Sequence, residues 1–140
     1  MGIAQSGSTM KTLIVEDDLT SRRFLETFIS RYGECHVAVN GKEAADAFRK
    51  AADNGLPFDL ICMDIRMPEM GGKEAVKQIR AMEKARGVNP TRGVKIIMTT
   101  SLTDMKEIIQ SFQELCDAYL FKPIDTAELL SKIKSFQLVK

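Results

Sequence analysis

Leu60-Ile61-Cys62-Met63-Asp64-Ile65-Arg66-Met67-Pro68 is the stretch that decides the fold. Four apolar residues in succession have the length of a strand buried on both faces, and Pro68 closes the segment. The run stops at a carboxylate, Asp64. An ionised carboxylate at the end of a buried strand is costly unless cations or donors compensate it. Three other apolar runs carry the compensation. Thr12-Leu13-Ile14-Val15 ends in Glu16-Asp17-Asp18, Val94-Lys95-Ile96-Ile97-Met98 ends in Thr99-Thr100-Ser101, and Ala118-Tyr119-Leu120-Phe121 ends in Lys122-Pro123. In an open parallel sheet the carboxyl ends of the strands share one crevice. An acid cluster, hydroxyls and a lysine meeting there suit a hard cation and a phosphoryl group.

Working outward, strands are expected at 12–15, 35–39, 60–63, 94–98 and 118–121, separated by segments of helical period. The first of these segments aligns Phe24, Leu25, Phe28, Ile29 and Tyr32. The second aligns Ala44, Ala47, Phe48 and Ala51 behind Asn40 and Glu43, a capping pair. The third aligns Ala75, Val76, Ile79 and Met82 and stops at Gly87. The fourth aligns Ile108, Ile109, Phe112 and Leu115. The fifth starts at Asp125 and carries Leu129, Leu130 and Ile133. Phe24, Phe28, Phe48 and Phe112 read as core by this spacing. Five β-α repeats predict an α/β, doubly wound (βα)5 three-layer sandwich with a five-stranded parallel sheet in the flavodoxin-like order 2-1-3-4-5. The turn-rich loop 87–93 is expected to be mobile and to lie on the face opposite the strand carboxyl ends.

At 140 residues the chain has the size of one domain. Residues 1–10 are Gly/Ser-rich and read as a disordered leader, leaving 11–140 as the domain. Twenty basic and nineteen acidic residues give a net charge of +1, which argues against a general attraction to nucleic acid or anionic membranes. No apolar stretch reaches the roughly 20 residues needed to span a bilayer, and no secretory signal is visible. A cytoplasmic protein is expected. Cys35, Cys62 and Cys116 lack metal-ligand spacing and read as reduced thiols, Cys62 in a strand and the other two at element ends. His36, the only histidine, is expected far from the crevice, so zinc and copper are disfavoured.

The crevice chemistry follows from residue type. Glu16, Asp17 and Asp64 would repel one another and bind protons more tightly unless a cation intervened. Mg2+ takes oxygen ligands and keeps several waters. Lys122 beside Asp64 pairs with the carboxylate and then with an incoming phosphoryl oxygen. Thr100 offers a hydroxyl, and Pro123 makes a cis Lys122-Pro123 bond accessible. Asp64 is thereby a candidate nucleophile toward a phosphoryl donor.

These pieces, Ile14-Val15-Glu16-Asp17-Asp18, Met63-Asp64-Ile65-Arg66-Met67-Pro68-Glu69-Met70, Ile97-Met98-Thr99-Thr100-Ser101 and Ala118-Tyr119-Leu120-Phe121-Lys122-Pro123, resemble the receiver domain of a bacterial two-component response regulator. The chain is similar to the single-domain chemotaxis regulators from about residue 11 to 136. The resemblance implies a phosphorylation-controlled switch rather than chiefly an enzyme, with self-phosphorylation and self-dephosphorylation as partial reactions and no output domain in this chain. It implies that Asp64 accepts phosphate from a histidine kinase or a histidine phosphotransfer protein. By the same resemblance Mg2+, with Mn2+ as an alternative, would be held by Asp17, Asp64, the Arg66 backbone oxygen and, through water, Glu16. Thr100, the Ser101 amide and Lys122 would hold the phosphoryl group, and Thr100 and Tyr119 would form the switch pair. The resemblance also implies that the surface of the fourth helix, fifth strand and fifth helix meets a downstream protein target, or a second copy of the chain.

Two departures stand out. Gly71 replaces the family's usual Asp, and the Gly71-Gly72 pair is expected to loosen the loop after Asp64 and delay the third helix. Arg66 and Leu102 occupy two variable positions that tune dephosphorylation in the family. A long cation at Arg66 would shield the phosphoryl group, pair with a partner's acid or simply lie solvated. Competing readings are weaker. A passive interaction module would not need the full set Glu16, Asp17, Asp64, Thr100 and Lys122. A flavin carrier would want a phosphate cradle where Glu16-Asp17-Asp18 stands, and a haloacid-dehalogenase-type phosphatase would want an Asp-x-Asp pair there.

Overall fold

A computed structural model of the protein describes residues 10–67, 69–106 and 115–139. Five strands, β1 (Met10–Val15), β2 (Gly33–Ala38), β3 (Leu60–Asp64), β4 (Lys95–Thr100) and β5 (Ala118–Phe121), form one parallel sheet in the order β2-β1-β3-β4-β5. Helices α1 (Leu19–Ile29), α2 (Gly41–Asp53), α3 (Gly72–Ala85) and α4 (Thr126–Ser135) connect or follow the strands. The helix expected around Ile108, Ile109 and Phe112 falls outside the described residues, so α4 is the C-terminal helix. The doubly wound (βα) sandwich and its strand order are those the sequence predicts.

Alternation along each strand feeds two separate cores. Leu13, Val15, Ile61, Met63, Ile96 and Met98 pack with Ala44, Phe48, Ala75, Val76 and Ile79 of α2 and α3. Met10, Ile14, Leu60, Cys62, Ile97 and Leu120 pack with Leu25 and Ile29 of α1 and Leu129 and Ile133 of α4. Every residue of β3 is buried, which is what a central strand covered on both faces requires. Burial also pushes the Cys62 thiol up to about 12, well away from reactivity at neutral pH.

Several boundaries differ from the sequence reading. Met10, assigned by composition to the leader, opens β1: it pairs with Gly33 and is 1% exposed. β2 ends before Val39, and β4 begins at Lys95, after Val94. Cys35 lies within β2 rather than at an element end. Phe24 is not core. It is 46% exposed, because α1 turns only Leu25 and Ile29 fully inward and leaves Phe24 on the rim of the crevice.

The capping signals hold. Asn40 accepts the Glu43 amide at 2.8 Å while Glu43 accepts the Val39 amide at 3.0 Å, and Asp125 caps α4 through the Ala127 and Glu128 amides. Gly87, at φ 75°, follows the end of α3. The loop 87–93 contains a 3-10 turn, Pro90–Arg92, and leads into the amino end of β4, opposite the strand carboxyl ends. Gly71 and Gly72 do not delay α3, which starts at Gly72. A Cβ there would lie 2.3 Å from the Asp64 carbonyl oxygen, so Gly72 lets the helix start directly beneath the acidic strand end.

Candidate functional site

Parallel winding brings the carboxyl ends of β1, β3, β4 and β5 to one edge, and the polar residues that end those strands meet there. Glu16 follows β1 and is 1% exposed, Asp64 ends β3 at 7%, and Thr99 and Thr100 end β4 at 3% and 1%. Asp17 is exposed. One carboxylate oxygen from each of Glu16, Asp17 and Asp64 lies within 4.8 Å of the others. That spacing suits one hard cation among oxygen ligands.

Lys122 reaches the cluster from the end of β5. Its ammonium donates to Glu16 Oε1 at 2.8 Å and stands 3.3 Å from Asp64 Oδ1. The sequence reading paired it with Asp64; the shorter bond is to Glu16. The Lys122-Pro123 peptide is cis. The other Glu16 oxygen accepts the Asp18 amide at 3.1 Å, and the Glu16 carbonyl accepts from Arg22 at 2.9 Å. Asp18, the third acid of the run, lies outside the cluster and caps α1 by accepting the Ser21 amide at 2.8 Å.

The electrostatics follow from this crowding. Burial, then the neighbouring Glu16 charge, pushes Asp64 up from its ordinary 3.8 to about 6, and Lys122 only partly opposes them. Burial alone would pull Lys122 down, but the bonds and charges of Glu16 and Asp64 leave it raised. The edge therefore favours a further positive charge beside Asp64.

The β4 side of the crevice is tied to the loop after Asp64. Thr100 Oγ1 donates to the Ser101 carbonyl at 3.0 Å. Ser101 Oγ donates to Asp104 Oδ2 at 3.2 Å, and Arg66 Nε donates to Asp104 Oδ1 at 2.7 Å. Asp104 is 7% exposed. Leu102, by contrast, is 76% exposed. Tyr119 is half-buried against the α2-α3 core, with its ring 6.1 Å from that of Phe121. The α2 side is joined too: the Gly41 amide donates to the Met70 carbonyl at 2.8 Å.

Beside the cluster, Thr20, Ser21, Phe24, Leu25, Pro123 and Ile124 line a cavity of about 300 Å3 that also touches Glu16 and Lys122. His36 lies in β2 near Phe58 and Glu34, away from this edge. Arg22 and Asp104 are site-forming residues the sequence reading missed. Arg22 lies six residues beyond Glu16 on α1, a separation that gives no motif, and Asp104 reads as an ordinary turn acid.

The fold and its edge define a flavodoxin-like α/β domain with an acidic cluster and a lysine at the carboxyl ends of its strands. Comparison with known proteins narrows the class. The pattern of the response regulator receiver domain matches residues 12–134, and the chain belongs to that family. It is 32% identical over 127 residues to a chemotaxis protein CheY homolog of Campylobacter jejuni, covering 89% of this chain and 90% of that protein. It is 33% identical to hybrid signal transduction histidine kinase I of Dictyostelium discoideum, covering 99% of this chain but only 8% of the kinase. Among solved structures it is similar to the receiver domain of Saccharomyces cerevisiae Ssk1, crystallised with the histidine phosphotransfer protein Ypd1 (TM-score 0.79, 28% identity, 91% of this chain and 88% of that one). It is also similar to the receiver domain of the Pseudomonas aeruginosa histidine kinase PA1611, which has magnesium in its active-site cleft (TM-score 0.74, 25% identity, 91% and 97%). Among the described residues, no helix is long and apolar enough to cross a membrane.

Proposed function

We propose that this chain is a phosphorylation-controlled signalling switch whose phosphoryl acceptor is Asp64. The observation that carries the reading is the placement of Asp64 with Glu16 and Asp17 inside 4.8 Å and with Lys122 at 3.3 Å. An Asp64 carboxylate oxygen attacks phosphorus, the new O–P bond forms, and the bond to the donor breaks. With phosphohistidine as donor the imidazole nitrogen leaves with the electron pair and takes up a proton. Attack by water on the acyl phosphate returns Asp64 and inorganic phosphate, which resets the switch.

Asp17, Asp64 and the Arg66 backbone oxygen would hold Mg2+, with Glu16 acting through water; Mn2+ suits the same oxygen set. Bound there, the cation would supply charge neutralisation for the phosphoryl group in transit. Lys122, held by Glu16 and Asp64 in the resting protein, turns to a phosphoryl oxygen. Thr100 and the Ser101 amide bind the others. Thr100 and Tyr119 act as the switch pair, and the surface built from residues after β4, from β5 and from α4 passes the change to a downstream protein target or a second copy of the chain. The phosphoryl donor is a histidine kinase or a phosphotransfer protein, a reading supported by the Ssk1 receiver's crystallisation with Ypd1. The switch works in the cytoplasm, without nucleic acid or membrane contact of its own.

Intact mass after incubation with acetyl phosphate tests the reading. A gain of one phosphoryl group is expected only with Mg2+, and none in Asp64→Ala. No gain in the wild type under any condition would instead point to a passive interaction module.

A further inference from the structure

Arg66 stands two residues past the acceptor Asp64, yet its Nε is turned to Asp104 at 2.7 Å. The pairing is asymmetric. The Arg66 side chain is 74% exposed while that of Asp104 is 9% exposed. The other Asp104 oxygen accepts from Ser101 Oγ at 3.2 Å, and the Asp104 amide bonds the Ser101 carbonyl at 3.2 Å. One buried carboxylate thus closes the turn 101–104 and pins it to the loop that carries the acceptor.

We propose that Asp104 and Arg66 form a clasp that withdraws Arg66 from the phosphoryl site at rest and yields when Asp64 is phosphorylated. This rests on the receiver reading above. The physical basis is competition for one guanidinium. Asp104 offers a single negative charge, whereas an aspartyl phosphate carries about −1.5 to −2 and three strong acceptor oxygens. Arginine pairs bidentately with either. Once Arg66 moves to the phosphoryl group, the Asp104 contacts left among the described residues are those to Ser101, and the turn is released from the loop after Asp64. The Ser101 amide and Thr100, which bracket the start of that turn, are then able to shift toward the phosphoryl oxygens. The clasp and the phosphoryl group bias the same element in opposite directions, so weakening one strengthens the other.

Beryllofluoride with Mg2+ serves as a stable stand-in for the acyl phosphate, with affinity read by calorimetry on the full chain. Asp104→Asn is expected to bind it at least threefold more tightly than wild type, because the buried carboxylate no longer competes for the Arg66 guanidinium. Arg66→Gln is expected to bind it more weakly. In the double variant the gain from Asp104→Asn is expected to vanish, since the gain needs the guanidinium. Equal gains from Asp104→Asn with and without Arg66, or no gain at all, would overturn the clasp. If the wild type itself fails to bind beryllofluoride with Mg2+, the receiver reading falls and the clasp with it. Asp104→Ser, which keeps a polar turn residue, provides a second variant should Asp104→Asn unfold, and the same gain is expected of it.

Discussion

The Lys122 ammonium donates to the Glu16 carboxylate at 2.8 Å across 106 positions of sequence. Glu16 is almost fully buried, so this bond is the main compensation for its charge, and the second contact, to Asp64, is longer. Removing one partner of such a pair leaves the other uncompensated. Lys122→Met is therefore expected to lower stability by about 1–3 kcal/mol in metal-free buffer. Mg2+ is expected to raise its melting temperature more than it raises that of the wild type, because the second cation takes over part of the compensation. Labelling of Asp64 by acetyl phosphate is expected to slow at least tenfold. Thermal melts with and without Mg2+, and mass time courses, check both.

Asp64→Asn is expected to stabilise the metal-free protein. Asp64 binds its proton more tightly when folded, near 6, than when unfolded, near 3.8. Below 3.8 both states are protonated and there is no cost. Between 3.8 and 6 the unfolded chain ionises first, so the wild type loses stability as pH rises, and above 6 the loss is complete. A shift of about 2 pH units corresponds to roughly 3 kcal/mol at most. The variant's advantage should be full at pH 8, shrink as pH falls through 6, and diminish when Mg2+ is added to the wild type. Denaturant melts at pH 4 and pH 8 measure it; an advantage that grows toward low pH would contradict the assignment.

Thr12→Val is expected to stabilise the fold by about 1 kcal/mol. Thr12 sits in β1, fully buried, and its hydroxyl finds no hydrogen-bond partner among the described residues. A buried hydroxyl without a partner costs about 1–3 kcal/mol, and valine is nearly isosteric with high strand preference. Urea melts give the comparison directly. An unchanged or lower midpoint would mean that the hydroxyl is satisfied by water.

Much of this was legible in the residues, and the pattern of success has a physical cause. Strand ends were readable at Asp64 and Lys122 because apolar runs stop there at charge, and helix starts were readable at Asn40 and Asp125 because a cap acts within three residues. What escaped was decided by orientation or by distant partners. Phe24 shares the helical stripe of Leu25 and Phe28, yet small rotations of α1 set which of them is covered. Asp18 belongs by sequence to the acidic run but points back to Ser21. Asp104 becomes part of the site only because Arg66, 38 residues earlier, is beside it. Periodicity carries no information about such pairs.

The far edge of the sheet gives the last prediction. Glu83, near the end of α3 and 8% exposed, accepts the Val94 amide at 2.7 Å and an Arg80 N–H at 2.7 Å. Arg80 also donates to the carbonyls of Val94 and Leu115 and to Asp117, whose carboxylate accepts the Ile96 amide at 2.8 Å. The network ties α3 to the amino ends of β4 and β5, and a Cβ on Gly93 would lie 2.7 Å from the Glu83 carboxylate. Glu83→Ala would leave the Val94 amide and the Arg80 charge short of an acceptor, and a loss of about 2–4 kcal/mol is expected. Glu83→Gln keeps one acceptor and should lose about half as much. Because these residues sit at the opposite end of the strands from Asp64, acetyl phosphate labelling of folded Glu83→Gln should stay within about twofold of wild type, a change of under about 0.5 kcal/mol in barrier. A large loss of labelling in a variant that still melts cooperatively would show that the two ends of the sheet are coupled.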